Sequence, residues 1–352
     1  MQTITMKTPS KKYNIYMINQ GLEGICDHIL THSSVDKWMI ITDNQVGDLY
    51  LDKFVKGLEG KDLSVHIIQA GEGSKSLRSA EEIYKDLSRN QFTRVDGIIA
   101  LGGGVVGDLA GFVAATYLRG LAWIQVPTSL LAQVDSSVGG KVAVNTDFGK
   151  NLVGAFYHPD AVYIDTEFLE TLSPRELKSG FGEVIKYACI DSNVLFSKLS
   201  AGNLSNLDWP DIVQTCIRIK QVFVEEDERE AGLRKHLNFG HTLGHALEKY
   251  HDYKTINHGE AVVQGIYYAG WLSHRLGYLT RESLDLIEGL LRQYGYDKYL
   301  TYPVDPIYQA LCQDKKRRGD QVDFVLLEEL GKSLIQALTL VHLYAYLKEG
   351  LQ

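Results

Sequence analysis

A pair of histidines in the second half of the chain is the most suggestive chemical feature of the sequence. His241 and His245 are four residues apart, so both imidazoles would lie on one face of a helix. Metal ligands use this spacing, although two such histidines are more often a buried polar pair or part of a solvated face. Gly240 and Gly244 flank His241, which favours a close approach of a ligand or of neighbouring backbone. His258 opens a second amphipathic run and could supply a third imidazole.

An acid and a base occur together in a second candidate segment. Glu183 and Lys186 are three residues apart within the apolar run 182–188, so a helix would place them on one face. Because charges are rarely buried without a partner, a metal for Glu183 and an anion for Lys186 are reasonable partners. A plain ion pair between the two is the competing interpretation, and the residues alone leave both open.

The overall composition narrows the class of protein. A chain of 352 residues is long enough for two domains, and its net charge of −8 argues against general binding to nucleic acid or anionic membranes. The four cysteines include no Cys-x-x-Cys pair, which is typical of reduced thiols in a cytoplasmic protein. No window approaches the roughly 20 apolar residues of a membrane span. We therefore expect a cytoplasmic protein that acts on small molecules.

The first half of the chain predicts an α/β domain. Short apolar runs such as residues 38–42 and 97–101 alternate with amphipathic helices such as residues 76–91, a pattern typical of parallel strands buried on both faces. Residues 102–107 follow directly and read Gly-x-Gly-x-x-Gly before an Ala-rich helix. This context predicts a dinucleotide pyrophosphate at a helix N-terminus, although a tight turn alone has the same pattern. Asp43, which ends an earlier strand, is the candidate acid for the ribose.

The sequence changes character in its middle. Residues 128–151 place glycines beside lysines, and we expect them to form one long functional loop. From the capping box that begins at Ser173, nearly everything predicts helix. Residues 225–230 form an acidic run that we expect to be a solvated face. The predicted domains are residues 1–172, an α/β dinucleotide-binding domain, and residues 173–352, a mostly helical domain that binds metal and substrate.

Several long motifs resemble those of the 3-dehydroquinate synthase family, one of the sugar phosphate cyclases. They occur in the family's order between residues 43 and 316. The motifs lie at residues 102–120, 125–141, 149–158, 182–188 and 237–246. The resemblance implies a Rossmann-like parallel sheet that binds NAD, followed by a mostly α-helical C-terminal domain.

The resemblance also implies a reaction. A lyase of this family converts 3-deoxy-D-arabino-heptulosonate 7-phosphate to 3-dehydroquinate and phosphate, a step of the shikimate pathway to chorismate and the aromatic amino acids. NAD oxidises a secondary alcohol, phosphate is eliminated, the same NADH returns the hydride, and an aldol step closes the ring. A divalent metal, Zn²⁺ or Co²⁺, makes sense as the Lewis acid at the alcohol.

Individual roles follow from the matching motif positions. The implied metal ligands are Glu183, His241 and His258, so His245 becomes a proton-transfer residue and no longer a second ligand beside His241. The other implied catalytic residues are Asp135, Lys141, Lys220, Arg234 and Asn238. The implied substrate contacts are Arg119, Lys150, Asn151, Lys186 and one of Lys315 or Lys316. The implied NAD contacts are Asp43, Asn44, Glu72, Lys75, Gly103, Gly104, Val105, Asp108, Thr128 and Ser129, with Lys141 and Lys150 also at the cofactor. Arg119 in this family reaches a partner's site, which implies a homodimer.

Two departures from the family pattern and three alternatives remain. Ser129 stands where a second threonine is usual, and Gly182 stands where alanine is common before Glu183. The alternatives are another sugar phosphate cyclase, such as 2-deoxy-scyllo-inosose synthase, a metal-dependent glycerol or alcohol dehydrogenase, and a catalytically silent NAD-binding regulator. The last predicts lost ligands or cations, whereas every matching position here is occupied.

Overall fold

The structure is a computed structural model that describes residues 1–297, 301–312 and 317–351. The predicted substrate contacts Lys315 and Lys316 lie outside the described residues. The chain divides into two compact units, which we describe separately. The first unit comprises residues 1–177 and 220–229, and the second comprises residues 178–219 and 230–352.

The first unit is an α/β sandwich. Its strands are β1 (Gln2–Lys7), β2 (Lys12–Met17), β3 (Lys37–Asp43), β4 (Asp62–Ile68), β5 (Gly97–Gly102), β6 (Ala122–Pro127), β7 (Lys141–Thr146), β8 (Gly149–Phe156) and β9 (Ala161–Ile164). Its helices are α1 (Gly21–His32), α2 (Asn44–Gly57), α3 (Leu77–Arg89) and α4 (Gly104–Thr116). Short helical turns lie at Glu72–Ser74, Tyr117–Arg119, Ala132–Ser136 and Thr166–Thr171.

Within the described residues, seven of these strands form one sheet in the order β1-β2-β9-β6-β5-β3-β4. Alternate side chains of β3 enter different cores: Met39 and Ile41 belong to one apolar cluster, and Ile40 to the other. This alternation is what a sheet covered by helices on both faces requires. The sheet is parallel except for the pair β1 and β2, which is antiparallel. The predicted Rossmann-like fold class is therefore confirmed, although the sequence reasoning missed β1.

The long loop predicted at residues 128–151 is wrong in detail. Ala132–Ser136 forms a π-helical turn, and β7 and β8 pair as an antiparallel hairpin. The alternation of apolar residues in β7 covers only Val142 and Val144. So short an alternation, between glycine-rich flanks, does not stand out as a strand in the sequence.

The second unit is mostly helical. Its helices, two of which begin or end in the first unit, are α5 (Pro174–Asp191), α6 (Asn193–Ala201), α7 (Trp209–Glu226), α8 (His241–Tyr250), α9 (His258–Arg275), α10 (Arg281–Gln293), α11 (Val304–Cys312) and α12 (Leu340–Gly350). A 3₁₀ segment lies at Leu233–Asn238. The strands β10 (Arg317–Arg318), β11 (Gln321–Glu329) and β12 (Lys332–Thr339) form an antiparallel sheet. Across all the residues described, no helix combines the length and the apolar character needed to cross a membrane.

Helix α9 lies close to two neighbouring segments because two of its glycines touch their backbone. A Cβ on Gly259 would lie 1.8 Å from the carbonyl oxygen of Ser179 in α5. A Cβ on Gly265 would lie 1.7 Å from the carbonyl oxygen of Gly240, which precedes α8. Both distances are far below contact distance, so any side chain there would push the helices apart. The relative placement of α5, α8 and α9 is thus set by backbone contact.

Candidate functional site

Three predicted metal ligands converge where α5, α8 and α9 meet. Oε1 of Glu183 lies 3.3 Å from Nε2 of His241 and 3.1 Å from Nε2 of His258. All three ligand atoms lie within 4.8 Å of one another. Because Glu183 comes from the middle of α5 whereas the histidines begin α8 and α9, the cluster depends on how these helices pack.

Local sequence signals fix the two histidines at their helix starts. Gly240, just before His241, has φ +77°, a left-handed conformation that glycine adopts without strain. Asn257, just before His258, forms a capping box with Glu260: its side chain accepts from the Glu260 N–H while the Glu260 carboxylate accepts from the Asn257 N–H. Each imidazole therefore projects from a defined first turn.

Each of these two histidines also has a partner for its other ring nitrogen. Nδ1 of His241 donates to the carbonyl oxygen of Phe239 at 3.1 Å, and Nδ1 of His258 lies 3.4 Å from Oε2 of Glu248. A carbonyl can only accept, so the proton of neutral His241 lies on Nδ1 and the lone pair of Nε2 points at Glu183. Outer carboxylates and carbonyls orient metal-binding histidines in this way. One carboxylate oxygen and two imidazole nitrogens suit Zn²⁺ or Co²⁺.

Each charged group in the cluster alters the pKa of its neighbours. Glu183 is completely buried and forms an ion pair with Lys186. Burial opposes the charge of Glu183, but Lys186 and His241 outweigh it and hold the pKa of Glu183 well below its usual value. Burial lowers the pKa of His241, although the negative charge of Glu183 acts in the opposite direction and raises it. Burial also disfavours charged His258, but hydrogen bonds to Glu183 and Glu248 raise its pKa to about 10.

His245 lies next to this cluster. Its ring centroid is 5.4 Å from that of His241 and 6.1 Å from that of His258. His245, Glu248 and His258 also place one ligand atom each within 4.8 Å of one another. Glu183 is not in that second group, so the first interpretation of His241 and His245 as the central ligand pair does not describe the cluster.

A predicted substrate segment lies in the same unit. Arg234 is only 2 % exposed although it carries a permanent charge, and Nδ2 of Asn238 donates to Oε1 of Glu230 at 2.7 Å. Glu230 has φ +59°, a conformation that non-glycine residues adopt rarely and that often marks functional positions. The sequence reasoning missed Glu230 because it treated residues 225–230 as a solvated acidic run.

That expectation is wrong for Glu228 as well. Glu228 is 8 % exposed and its Oε1 lies 2.8 Å from Nε2 of His158. Burial raises the pKa of Glu228, but hydrogen bonds with Ser10 and His158 outweigh burial and lower it overall. Acidic residues only two positions apart thus have different partners, which composition alone does not reveal.

The glycine motif of the first unit begins α4 as predicted. Gly103 is the residue before the helix, and Gly104 is its first residue. A Cβ on Gly104 would lie 3.0 Å from Oγ of Ser136, and one on Gly103 would lie 3.3 Å from Oγ of Ser129. The backbone N–H groups at this helix start form the kind of site that binds a pyrophosphate. Val105 and Asp108 lie in the same first turns, and Thr128 donates its N–H to the carbonyl oxygen of Gly102.

Several predicted NAD contacts are engaged with neighbouring polar groups. Lys75 is buried and forms an ion pair with Asp108, whose pKa is raised by burial against the opposing effect of Lys75. Asp43 ends β3 as predicted, and its Oδ1 accepts from the N–H groups of Gln45 and Val46 at 2.9 Å, capping α2. Oδ1 of Asn44 accepts from the Ala70 N–H at 2.7 Å.

The remaining predicted cations are distributed over the first unit. Nζ of Lys220 is 2.6 Å from both the carbonyl oxygen and Oδ1 of Asp135. Nζ of Lys150 is 3.9 Å from Oε1 of Glu72. Lys141 is exposed at the start of β7, and Arg119 has φ +68° in the turn after α4. The structure thus pairs Lys220 with Asp135 and Lys150 with Glu72.

The fold is shared with solved sugar phosphate cyclases. A crystal structure of 2-deoxy-scyllo-inosose synthase in complex with carbaglucose-6-phosphate, NAD⁺ and Co²⁺ superposes with a TM-score of 0.89 at 28% identity, covering 99% of this chain and 100% of that one. The 2-epi-5-epi-valiolone synthase of Streptomyces hygroscopicus, solved with NAD⁺ and Zn²⁺, gives a TM-score of 0.86 at 24% identity over 96% of both chains. At these TM-scores the fold places this chain structurally with the sugar phosphate cyclases.

Sequence comparison specifies the family. Residues 65–179 match the 3-dehydroquinate synthase N-terminal family and residues 180–317 match the 3-dehydroquinate synthase C-terminal family. The 3-dehydroquinate synthase of Clostridium acetobutylicum is 41% identical over 360 residues, 99% of both chains. That of Streptococcus mutans is 41% identical over 353 residues, 98% of this chain and 99% of its own. The chain belongs to the 3-dehydroquinate synthase family, and the prediction of a 3-dehydroquinate synthase is confirmed.

Proposed function

We propose that this enzyme is an NAD- and metal-dependent lyase that converts 3-deoxy-D-arabino-heptulosonate 7-phosphate to 3-dehydroquinate and phosphate in the shikimate pathway. One observation supports this most directly: Glu183, His241 and His258 bring three possible ligand atoms within 4.8 Å of one another, and outer partners orient both imidazole rings. We propose residues 1–172 as the NAD-binding domain and residues 173–352 as the metal- and substrate-binding domain. The free cysteines fit a cytoplasmic location.

The metal would be held by Glu183, His241 and His258. When bound there, Zn²⁺ or Co²⁺ would act as a Lewis acid on the hydroxyl group that is oxidised. His245, half-buried beside the cluster, would move protons during oxidation and elimination. Because the metal is an electrophile and imidazole can both accept and donate a proton, the two functions complement each other.

The anionic groups of the substrate would be bound by cations of this chain. Arg234 is almost fully buried, so packing restricts the positions that its guanidinium can adopt. A guanidinium can form bidentate hydrogen bonds with a carboxylate or a phosphate. Lys186 and Asn238 would help to bind the same molecule, with Glu230 orienting the amide of Asn238. The further cationic and polar contacts that we propose are Arg119, Lys141, Lys150, Asn151, Lys220 with its partner Asp135, and one of Lys315 or Lys316.

NAD would be bound by the first unit. Its pyrophosphate would lie at the start of α4, on Gly103, Gly104 and Val105. Bare backbone there allows phosphate oxygens to approach N–H groups closely. The side chains that we propose around the rest of the cofactor are Asp43, Asn44, Glu72, Lys75, Asp108, Thr128, Ser129, Lys141 and Lys150.

Phosphate release tests the proposal directly. Chelator-treated protein would receive NAD and Zn²⁺ with either 3-deoxy-D-arabino-heptulosonate 7-phosphate or glucose 6-phosphate, while absorbance of NADH is followed. We expect phosphate from the heptulosonate alone, dependent on both additions and without net NADH. The similarity to 2-deoxy-scyllo-inosose synthase makes glucose 6-phosphate the informative competitor. Phosphate from glucose 6-phosphate would instead indicate that cyclase activity, and NADH without phosphate would indicate a dehydrogenase.

We propose further that the protein is a homodimer in which Arg119 completes the partner's site. Arg119 lies in a turn in which Leu118 also has positive φ, at +50°. Mixing Arg119→Ala and His245→Ala subunits tests this arrangement. A shared site predicts that the mixture regains about one quarter of wild-type activity, since half of the dimers would contain one intact site. A mixture that exchanges subunits but remains inactive would place Arg119 in the site of its own subunit.

A further inference from the structure

Asn145 lies where the β7–β8 hairpin departs from regular pairing. The register shifts between Val144 and Thr146, so Asn145 falls on an irregularity of the ladder. Irregularities of this kind redirect a side chain away from its ordinary strand position. Asn145 is half-buried, and no role was assigned to it by the motifs in the sequence.

Three hydrogen bonds join Asn145 to the distant segment of Glu72 and Lys75 and to the facing strand of its own hairpin. Its N–H donates to the carbonyl oxygen of Lys75 at 2.8 Å. Its side-chain Nδ2 donates to Oε1 of Glu72 at 2.7 Å, and its Oδ1 accepts from the N–H of Asn151 at 3.0 Å. The two ends of one amide therefore hold two different segments.

Both segments adopt conformations that need outside support. Asn151 has φ +54°, in the left-handed region that side chains other than glycine rarely occupy. Glu72 begins a single 3₁₀ turn that follows Gly71 at φ +109°, and such short turns have weak internal hydrogen bonds. Asn145 gives a partner to the backbone of the first segment and to the side chain of the second.

We propose that Asn145 is a positioning residue that couples NAD binding to sugar phosphate binding. This inference rests on the proposed roles of Glu72 and Lys75 at NAD and of Asn151 at the substrate. When NAD fixes Glu72, the amide of Asn145 is fixed as well, and its Oδ1 then holds the Asn151 N–H in place. Coupling of this kind is reciprocal, so each ligand strengthens the binding of the other by the same factor.

Two variants separate the two ends of the amide. Asn145→Ala removes both side-chain hydrogen bonds but keeps the backbone bond to Lys75. Asn145→Asp keeps an acceptor for the Asn151 N–H but turns a carboxylate towards Glu72, so like charges oppose each other. Asn90→Ala is the control, because Asn90 is an exposed residue at the end of α3 whose amide donates to the Asp86 carbonyl.

The measurements are the NAD Kd by calorimetry, with and without a phosphonate analogue of the heptulosonate phosphate, and the KM and kcat for the sugar phosphate. For Asn145→Ala we expect the NAD Kd and the KM each to rise about tenfold, the value of one hydrogen bond to a charged or strained group. The synergy between NAD and the analogue should disappear. For Asn145→Asp we expect the NAD Kd to rise about tenfold and the synergy to disappear, while the analogue measured without NAD still binds within about twofold of its wild-type affinity.

Defined outcomes would overturn the proposal. Wild-type NAD affinity and undiminished synergy in Asn145→Ala would show that the amide couples nothing. Should that variant not fold, undiminished synergy between NAD and the analogue in Asn145→Asp would have the same meaning. Failure of the proposed function is a separate result, because it appears as absent phosphate release by the wild-type enzyme, whereas the NAD Kd values still test the position of Glu72.

Discussion

The cluster of Glu183, His241 and His258, which we propose holds the metal, and the proposed NAD region are built in different ways. In the cluster, backbone contacts at Gly259 and Gly265 fix three helices, and the ligands project from them. In the NAD region, the proposed contacts hold one another through side chains, as in the pairs of Lys75 with Asp108 and Glu72 with Lys150. The cluster should therefore respond sharply to changes in backbone spacing, whereas the NAD region should respond gradually to the loss of single polar groups.

The largest effect should come from removing the shared ligand. Glu183→Ala takes away the carboxylate that both histidines face, so we expect turnover to fall by at least about 1000-fold, as for loss of an electrophilic metal. Metal content and rate should be measured together. Glu288→Ala is the matched control, because Glu288 is a buried carboxylate on α10 with an ion-pair partner, Arg292, one turn away. Stoichiometric metal and a normal rate in Glu183→Ala would remove this residue from the ligand set.

The backbone contact beneath the cluster gives the second prediction. Gly259→Ala places a Cβ 1.8 Å from a carbonyl oxygen, so we expect the free energy of unfolding to fall by about 4 kcal/mol or more. Gly289→Ala in α10 is the control, since nothing lies within 4 Å of its added Cβ and alanine favours helix by about 0.5–1 kcal/mol. Denaturant unfolding would measure both. Equal stability of the two variants would refute backbone control of the cluster.

The outer carboxylate provides a milder test. Glu248→Gln keeps the shape of the side chain but replaces the charge that faces Nδ1 of His258. We expect Zn²⁺ affinity to weaken about 10–100-fold, the usual consequence of losing such a partner. Competition with a chelator would measure the affinity, and unfolding in denaturant would show whether the fold is intact. Unchanged affinity would mean that the packing of His258, and not Glu248, orients its ring.

The pH dependence of metal binding follows from the same contacts. The pKa of His258 is raised to about 10 while those of Glu183 and His241 are lowered, so near neutral pH His258 carries the proton that a metal must displace. The affinity for Zn²⁺ should then rise about tenfold per pH unit between roughly pH 6 and 9 and level off above the pKa of His258. Isothermal titration in buffers of different ionisation enthalpy would count the proton. Affinity independent of pH would contradict a protonated His258.

The smallest effect should come from the NAD region. Asp108→Asn leaves Lys75 with a neutral partner, and we expect the NAD Kd to change only about three- to tenfold. Asp86→Asn is the control. Asp86 on α3 pairs with His66 on β4, and neither residue is among the proposed cofactor contacts. A 1000-fold loss of NAD affinity would show that this region is as sensitive as the cluster and would remove the contrast.

The features that could be predicted from the sequence are those formed by residues that are close together in the chain. The strand, the glycines at residues 102–107 and the following helix are consecutive, so their pattern is visible in one window. The partners of Asn145, Glu230 and Glu248 are different: each is recognisable only once distant segments are folded together. Resemblance to the family located Glu183, His241 and His258, whereas spacing alone suggested His241 and His245. Residues that position others carry no spacing signal of their own.

The network around His258 has one further consequence, for handling the purified enzyme. Without metal, the carboxylates of Glu183 and Glu248 face protonated His258 and the ammonium of Lys186, so these four groups balance in charge. Removing the metal therefore exchanges a cation for a proton and leaves no uncompensated buried anion. Preparations stripped by chelators should stay folded in storage, and adding Zn²⁺ should reload them without a refolding step.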